Sequence, residues 1–212
     1  MRRPLLLGAA VALLALGSAE VMHAGTGLGH APPTNGPEAK SLAGRLLVAT
    51  DDIRDPRFYR TVIYMVHHDL TGAMGLVVNR PVGEARLARL LERLGRSSVG
   101  VTATIRVHYG GPVETGQGWV LHTADWVGGD SQIVRDGVAF DSDPEIFEAI
   151  GQGTGPRRFI FALGYAGWGS GQLEAEMEHG AWITVPADEA LIFDEDAGSK
   201  WERAMARRPI AL

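Results

Sequence analysis

Glycine punctuation limits the folds open to this sequence more than any other feature. Its 28 glycines, spread over 212 residues, repeatedly interrupt short runs of β-branched and aromatic residues. Runs so brief read as strands rather than helices. Residues 45–50, 61–66 and 75–78 are the first of them. Between the second and third, residues 67–72 are turn-forming, which predicts a hairpin. Strands follow at 105–109 and 119–123, joined by a turn-rich stretch over 110–118. The dipeptide Asp136-Gly137 favours a type I′ turn between two short strands. Residues 159–163 form an apolar run of the kind buried at the centre of a sheet, and 182–185 and 191–193 read as the last strands.

Helical signals are fewer. Leu87, Leu90, Leu91 and Leu94 fall at i, i+3, i+4 and i+7, a single apolar stripe closed by Gly95. The arginines between them, from Arg86 to Arg96, read as the solvated side of that helix. Asp143 before Pro144 is an N-cap followed by proline at the first helical position, opening a helix over 145–150. Two more helices are expected over 171–179, ended by Gly180, and over 199–207. Hairpins interleaved with helices predict an α/β (α+β) domain on a mixed sheet, not a regular βαβ winding.

The first 41 residues differ in kind. Arg2 and Arg3 precede an apolar run over residues 5–16, and Gly17-Ser18-Ala19 offers a small-x-small cleavage site, with a second ending at Ala24. Residues 1–24 thus have the three parts of a signal peptide. The run is short of the roughly 20 residues that span a bilayer, so cleavage is expected over anchoring. A mis-assigned start before a cytoplasmic chain is the alternative. Residues 25–41 are rich in Gly, Pro, Thr and Asn and form a linker or arm, since such a stretch buries too little surface to offset its ordering entropy. The folded body occupies 42–212.

Composition removes several functions. Hydrophobic content of 45% and charged content of 21% are those of a globular chain. A formal net charge of -5, without long runs of one sign, argues against a nucleic-acid partner, which calls for a basic face. With no cysteine, thiol catalysis, disulfides and thiolate metal ligands are excluded. The seven histidines include no ligand pair at metal-binding spacing, so neither a metal nor another cofactor is expected. Contact with a membrane is expected only through an uncleaved N-terminal segment.

Four stretches together resemble the AlgH/YqgE family of small bacterial proteins: 55–62 leading into 72–81, Tyr109-Gly110-Gly111-Pro112-Val113 with Leu121-His122, residues 162–176, and residues 180–188. The resemblance spans roughly 42–206. It implies a single domain whose bifurcated mixed sheet curls into a partial barrel flanked by helices. For function it implies only the family's label of transcriptional regulator, with no established chemistry. Most members lack an export signal and are taken to be cytoplasmic. A working signal here would place the mature chain in the periplasm or outside the cell, where direct control of transcription is impossible.

Candidate binding residues gather at turns. Asn79 and Arg80 stand where a strand ends, able to clamp a carboxylate or phosphate, or else to bond the local backbone. Gly110 and Gly111 could form an anion nest, or simply a tight turn; they lack the spacing of a P-loop or dinucleotide fingerprint. In residues 164–172 a buried strand runs into a glycine-rich turn and then a helix. Tyr165 and Trp168 there offer aromatic faces, and Gln172 and Glu176 share one side of the helix at i, i+4. The competing account has these aromatics packing over the sheet edge. No Gly-x-Ser-x-Gly elbow is present. These features favour a non-enzymatic module that binds a small ligand or a protein in a groove near Tyr165, Trp168 and the Asn79 turn. The alternatives are a hydrolase or transferase using His122 or Asp188 as base, and a cytoplasmic gene regulator.

Overall fold

The computed structural model describes residues 41–208. The expected signal segment, nearly all of the arm and the last four residues lie outside that range. The described part is a mixed α/β domain with ten strands and five helices. In chain order these are β1 (Arg45–Ala49), β2 (Val62–Asp69), β3 (Gly72–Val77), β4 (Pro81–Arg86) and α1 (Leu87–Arg93). Then come β5 (Thr104–Tyr109), β6 (Val113–Thr123), β7 (Gln132–Arg135), β8 (Val138–Asp141) and α2 (Glu145–Gln152). β9 (Phe159–Gly169), α3 (Gln172–Glu178), β10 (Trp182–Pro186), α4 (Glu189–Phe193) and α5 (Lys200–Met205) complete it.

The sheet runs β10-β1-β2-β3-β9-β6-β8-β7, with β5 also on β9 and β4 outside β5. β9 is the pivot of a curled, forked half-barrel. Its first half lies between β5, parallel, and β6, antiparallel; its second half pairs with β3 from Gly72↔Gly169 to Gly75↔Ala166. The fork opens at Gly110, whose N–H donates to the Leu163 carbonyl and whose own carbonyl accepts from Val77 N–H. No side chain fits there. A Cβ on Gly110 would sit 2.1 Å from the Gly164 oxygen, and one on Gly111 2.0 Å from the Tyr165 carbonyl carbon. Close backbone approach, more than turning, is what these glycines provide.

Three apolar clusters hold the sheet. Leu46, Tyr64, Leu76, Leu121 and Ile160 fill one side, closed by α4 and α5. Leu47, Ile63, Val77, Trp168 and Trp182 lie on the other side under α3, and Leu87, Leu91, Ile146, Phe147 and Phe161 pack α1 and α2 onto the far branch. α5 is tied down by Trp201, whose indole N–H donates to Ala49 O at 2.8 Å. Beside it Lys200 is only 1% exposed, its ammonium donating to the carbonyls of Ile192 (2.6 Å) and Val78 (3.0 Å). Burial pushes that ammonium down to about 8.

Several expectations need correction. The hairpin loop is only Leu70-Thr71, because β2 continues through a bulge between Met65 and His67 to Asp69. Residues 81–86, where no element was expected, form an edge strand; proline at its first position is compatible with a strand paired on one side only. Residues 113–118 are not turn but the first part of β6, so only Gly110-Gly111-Pro112 separates it from β5, and the two strands flank β9 on opposite sides. Residues 164–169 continue β9, and the actual turn is Ser170-Gly171, with Gly171 left-handed at φ 70. Residues 191–193 belong to helix α4, because the Asp188 side chain accepts from Leu191 N–H and caps it. The Asp136-Gly137 turn has both residues at positive φ, as a type I′ turn requires.

Candidate functional site

Helix α3 carries one wall of an apolar-floored cleft. Gln172, Ala175, Glu176 and His179 fall at i, i+3, i+4 and i+7 and line it together. The Gln172 side chain accepts from Gly169 N–H at 3.1 Å, linking the helix start to the end of β9. Its amide N–H donates to Glu176 Oε1 at 2.9 Å. Gly180, at φ 79, reverses the chain after α3 and brings β10 back across the helix. The reversal sets Trp182 beside Trp168 of β9. Both indole N–H groups donate to Glu176 Oε2, at 3.0 Å from Trp168 and 2.8 Å from Trp182.

The rings stand edge to face: Trp168 and Trp182 centroids are 5.9 Å apart at 82°, and Phe58 meets Trp182 at 5.4 Å and 68°. Phe58 belongs to loop 51–60, the opposite wall. Asp55 caps a 3-10 turn there over Pro56–Phe58 and binds the Arg57 guanidinium at 2.6 Å. Hydrogen bonds from Arg57 hold the Asp55 carboxyl below its usual range. At the root of the loop, Thr50 Oγ1 donates to Gly180 O at 2.6 Å and ties the two walls together. The space between them is about 690 Å³, the size of a small-molecule pocket. Asp55 and Arg57 neutralise one another at the rim. Glu176 accepts only from neutral donors, and among the described residues no cation pairs with it.

Trp168, Gln172 and Glu176 therefore meet in one place; the other candidates do not join them there. Tyr165 does not line the cleft; it lies edge-on to Trp119 at 6.0 Å and borders an adjoining shallow groove with Met74, which shares Val113, Gly167 and Trp168 with the cleft. Asn79 accepts from Val62 N–H and donates to Arg60 O, both at 2.9 Å. Arg80 donates to the carbonyls of Arg57 (2.5 Å) and Tyr59 (2.6 Å), and burial lowers its pKa. The pair thus braces loop 51–60 from behind, holding Phe58 and Arg57 in position. Gly110 and Gly111 are buried at the fork, and the Gly110 amide is taken by Leu163. His122 is fully buried, its Nδ1 within 3.0 Å of Thr123 O and its ring against Trp126; burial lowers its pKa. Asp188 caps α4 and pairs with Arg207.

Phe58, Ala175, His179 and Trp182 were absent from the sequence-derived set. The α3 stripe was open to discovery, because His179 and Ala175 follow from Gln172 and Glu176 by helical spacing. Trp182 was not, since its approach to Trp168 depends on the reversal at Gly180.

The AlgH-like family model (DUF179) matches residues 46–212. A UPF0301 protein of Rhodospirillum rubrum is 44% identical over 166 residues, covering 78% of this chain and 86% of its own. One from Caulobacter vibrioides is 47% identical over 173 residues, covering 80% and 88%. Among solved structures, the AlgH protein of Pseudomonas aeruginosa superposes with a TM-score of 0.69 at 37% identity, over 87% of this chain and 94% of that one. A Corynebacterium diphtheriae protein, at 21% identity, has a TM-score of 0.61 over 79% and 87% and shares the fold.

Proposed function

The chain belongs to the AlgH-like family, and we propose that it serves as a non-enzymatic binding module. Its ligand, a small molecule or a side chain of a partner peptide, seats in the cleft between loop 51–60 and α3. The observation that carries this reading is the cleft floor. One carboxylate, Glu176, fixes two indoles edge to face, so an apolar surface is held rigid before any ligand arrives. Pre-organisation of this kind lowers the entropic cost of binding. The lining supplies amide, carboxylate and imidazole groups for orientation and, among the described residues, no serine or cysteine nucleophile. His122 and Asp188, the bases a hydrolase reading would call on, are sealed in the interior and engaged on α4, respectively.

The test is a panel of small molecules and peptides titrated into the protein while NMR follows the indole N–H signals of Trp168 and Trp182. Binders are expected to move both signals. Ala175→Trp, which fills the cleft from an exposed helix position, is expected to abolish binding with native circular dichroism retained. Binders that leave both signals in place, or that bind Ala175→Trp equally well, would refute the cleft.

The same reading places the mature protein outside the cytoplasm, on the strength of the targeting pattern in residues 1–24. An intact mass beginning after Ala19 or Ala24, in the periplasmic or secreted fraction, is the expected result. A full-length chain in the soluble cytoplasmic fraction would overturn this placement and reopen the gene-regulator alternative.

A further inference from the structure

A second groove, independent of the Trp168 cleft, runs between α1 and the outer branch of the sheet. Its floor is apolar: Ala85 of β4, Val107 of β5, and Phe161 and Leu163 of β9. Its volume is about 490 Å³. The leucine stripe of α1 explains why the floor stays open. Leu87 and Leu91 are fully buried, but Leu90 is half-buried on the groove and Leu94, one turn further, is 39% exposed. The helix is rotated so that half of its apolar stripe remains uncovered.

Along the rim stand Arg86, the last residue of β4, and Arg89 and Arg93, which share one row of α1 at i, i+4. Among the described residues none of the three has a carboxylate within salt-bridge distance, whereas eight other arginines do. Glu84 is the sole acidic residue on the lining, so the groove is net positive in a chain of net charge -5. An apolar trough with unpaired guanidinium forks on one side is complementary to a molecule with an apolar tail and an anionic head.

We propose that this groove binds a monomeric fatty carboxylate, its alkyl chain on Phe161, Leu163, Val107 and Leu90 and its head group on Arg89 and Arg93. A single chain is favoured over a lipid bilayer because the apolar groups form the floor of a concavity. A flat membrane surface cannot reach them, whereas one extended chain can.

The test is calorimetric titration of the full chain with butanoate, octanoate and dodecanoate below the micelle concentration. Affinity is expected to rise about fourfold for each methylene buried. Dodecyltrimethylammonium, of equal length and opposite charge, is expected to bind more weakly than dodecanoate. Arg89→Ala combined with Arg93→Ala is expected to weaken dodecanoate about tenfold, and Ala85→Trp, which fills the floor, to abolish binding. The arginine pair is exposed, so it tests the site even should the Ala85 variant fail to fold. Ala175→Trp in the other cleft is expected to change nothing, which separates this site from the one proposed above. Equal affinity for the cation and the anion, indifference to chain length or to the arginine pair, or binding only to phosphatidylglycerol vesicles would each overturn the proposal.

Discussion

Replacing Lys200 by methionine separates two effects that the native side chain combines. The ammonium satisfies the carbonyls of Val78 and Ile192, and it bears the cost of sitting almost wholly out of water. Burial takes it from 10.5 in water to about 8 in the fold, with Asp194 opposing the change. Between those two values the unfolded chain still holds a proton that the folded protein has released. Stability therefore rises with pH through this window, and the full penalty is present below pH 8. Its size near neutral pH is about 3 kcal/mol, of which about 2 kcal/mol is recovered by pH 9.5. Methionine carries no such penalty but leaves two carbonyls without a donor, at about 1–3 kcal/mol each. The two effects nearly cancel at pH 7, so one measurement there is uninformative and the slope is the observable. Urea unfolding at pH 7, 8.5 and 9.5 should show the native midpoint rising at constant m-value while that of Lys200→Met stays flat. Above pH 10 the midpoints of both proteins fall, because burial raises the Tyr64 hydroxyl and the unfolded chain then loses its proton first. A flat native profile, or a Lys200→Met profile that keeps the rise, would refute the reasoning.

Three further outcomes are expected. Glu176→Gln sets an amide N–H either against both indole N–H groups or against the Gln172 amide, which should lower stability by about 1–3 kcal/mol in thermal denaturation; an unchanged Tm and unmoved indole signals would show that Glu176 does not anchor the floor. Gly111→Ala forces a Cβ into the Tyr165 backbone and should cost about 3 kcal/mol or prevent folding, whereas Gly116→Ala, whose Cβ meets nothing within 4 Å, should change stability by about 0.5 kcal/mol at most. His108, lowered to about 4 by burial with Lys200 adding to the effect, gains its proton in the unfolded chain first, so stability should fall as pH drops from 6.5 towards 4. His108→Phe should make that acid limb shallower, leaving the part that buried His122 contributes with the same sign, and an unaltered limb in chemical denaturation would count against the assignment.

Local chemistry made part of this structure legible in advance. Leucine spacing located α1, Asp143-Pro144 located α2, and Asp136-Gly137 located a hairpin, because each signal is complete within a few residues. The errors fall where a distant segment decides. Residues 164–169 carry the glycines of a turn, yet Gly72 to Gly75 of β3 pair with this stretch and hold it extended. Residues 81–86 become a strand only because β5 lies alongside. The α1 stripe predicted four inward leucines, and the sheet covers two of them. For the cleft, Trp168, Gln172 and Glu176 were visible through helical spacing and aromatic content. Phe58 and Trp182 were not, because two separate chain reversals carry them there.

The forked strand also dictates an order of assembly. β9 is the shared neighbour of β3, β5 and β6, and it lies near the end of the sequence. A chain emerging from the ribosome has made eight strands before the one that joins its branches appears, and β1 waits longer still for β10. Until then the edges of β1, β3, β5 and β6 all await a partner, each able to pair with another chain. Contacts so distant in sequence make for slow folding that follows synthesis rather than accompanying it. Nascent chains stalled before residue 159 should therefore be protease-sensitive throughout and should associate with chaperones, and protection should appear in one step once β9 has cleared the ribosomal tunnel.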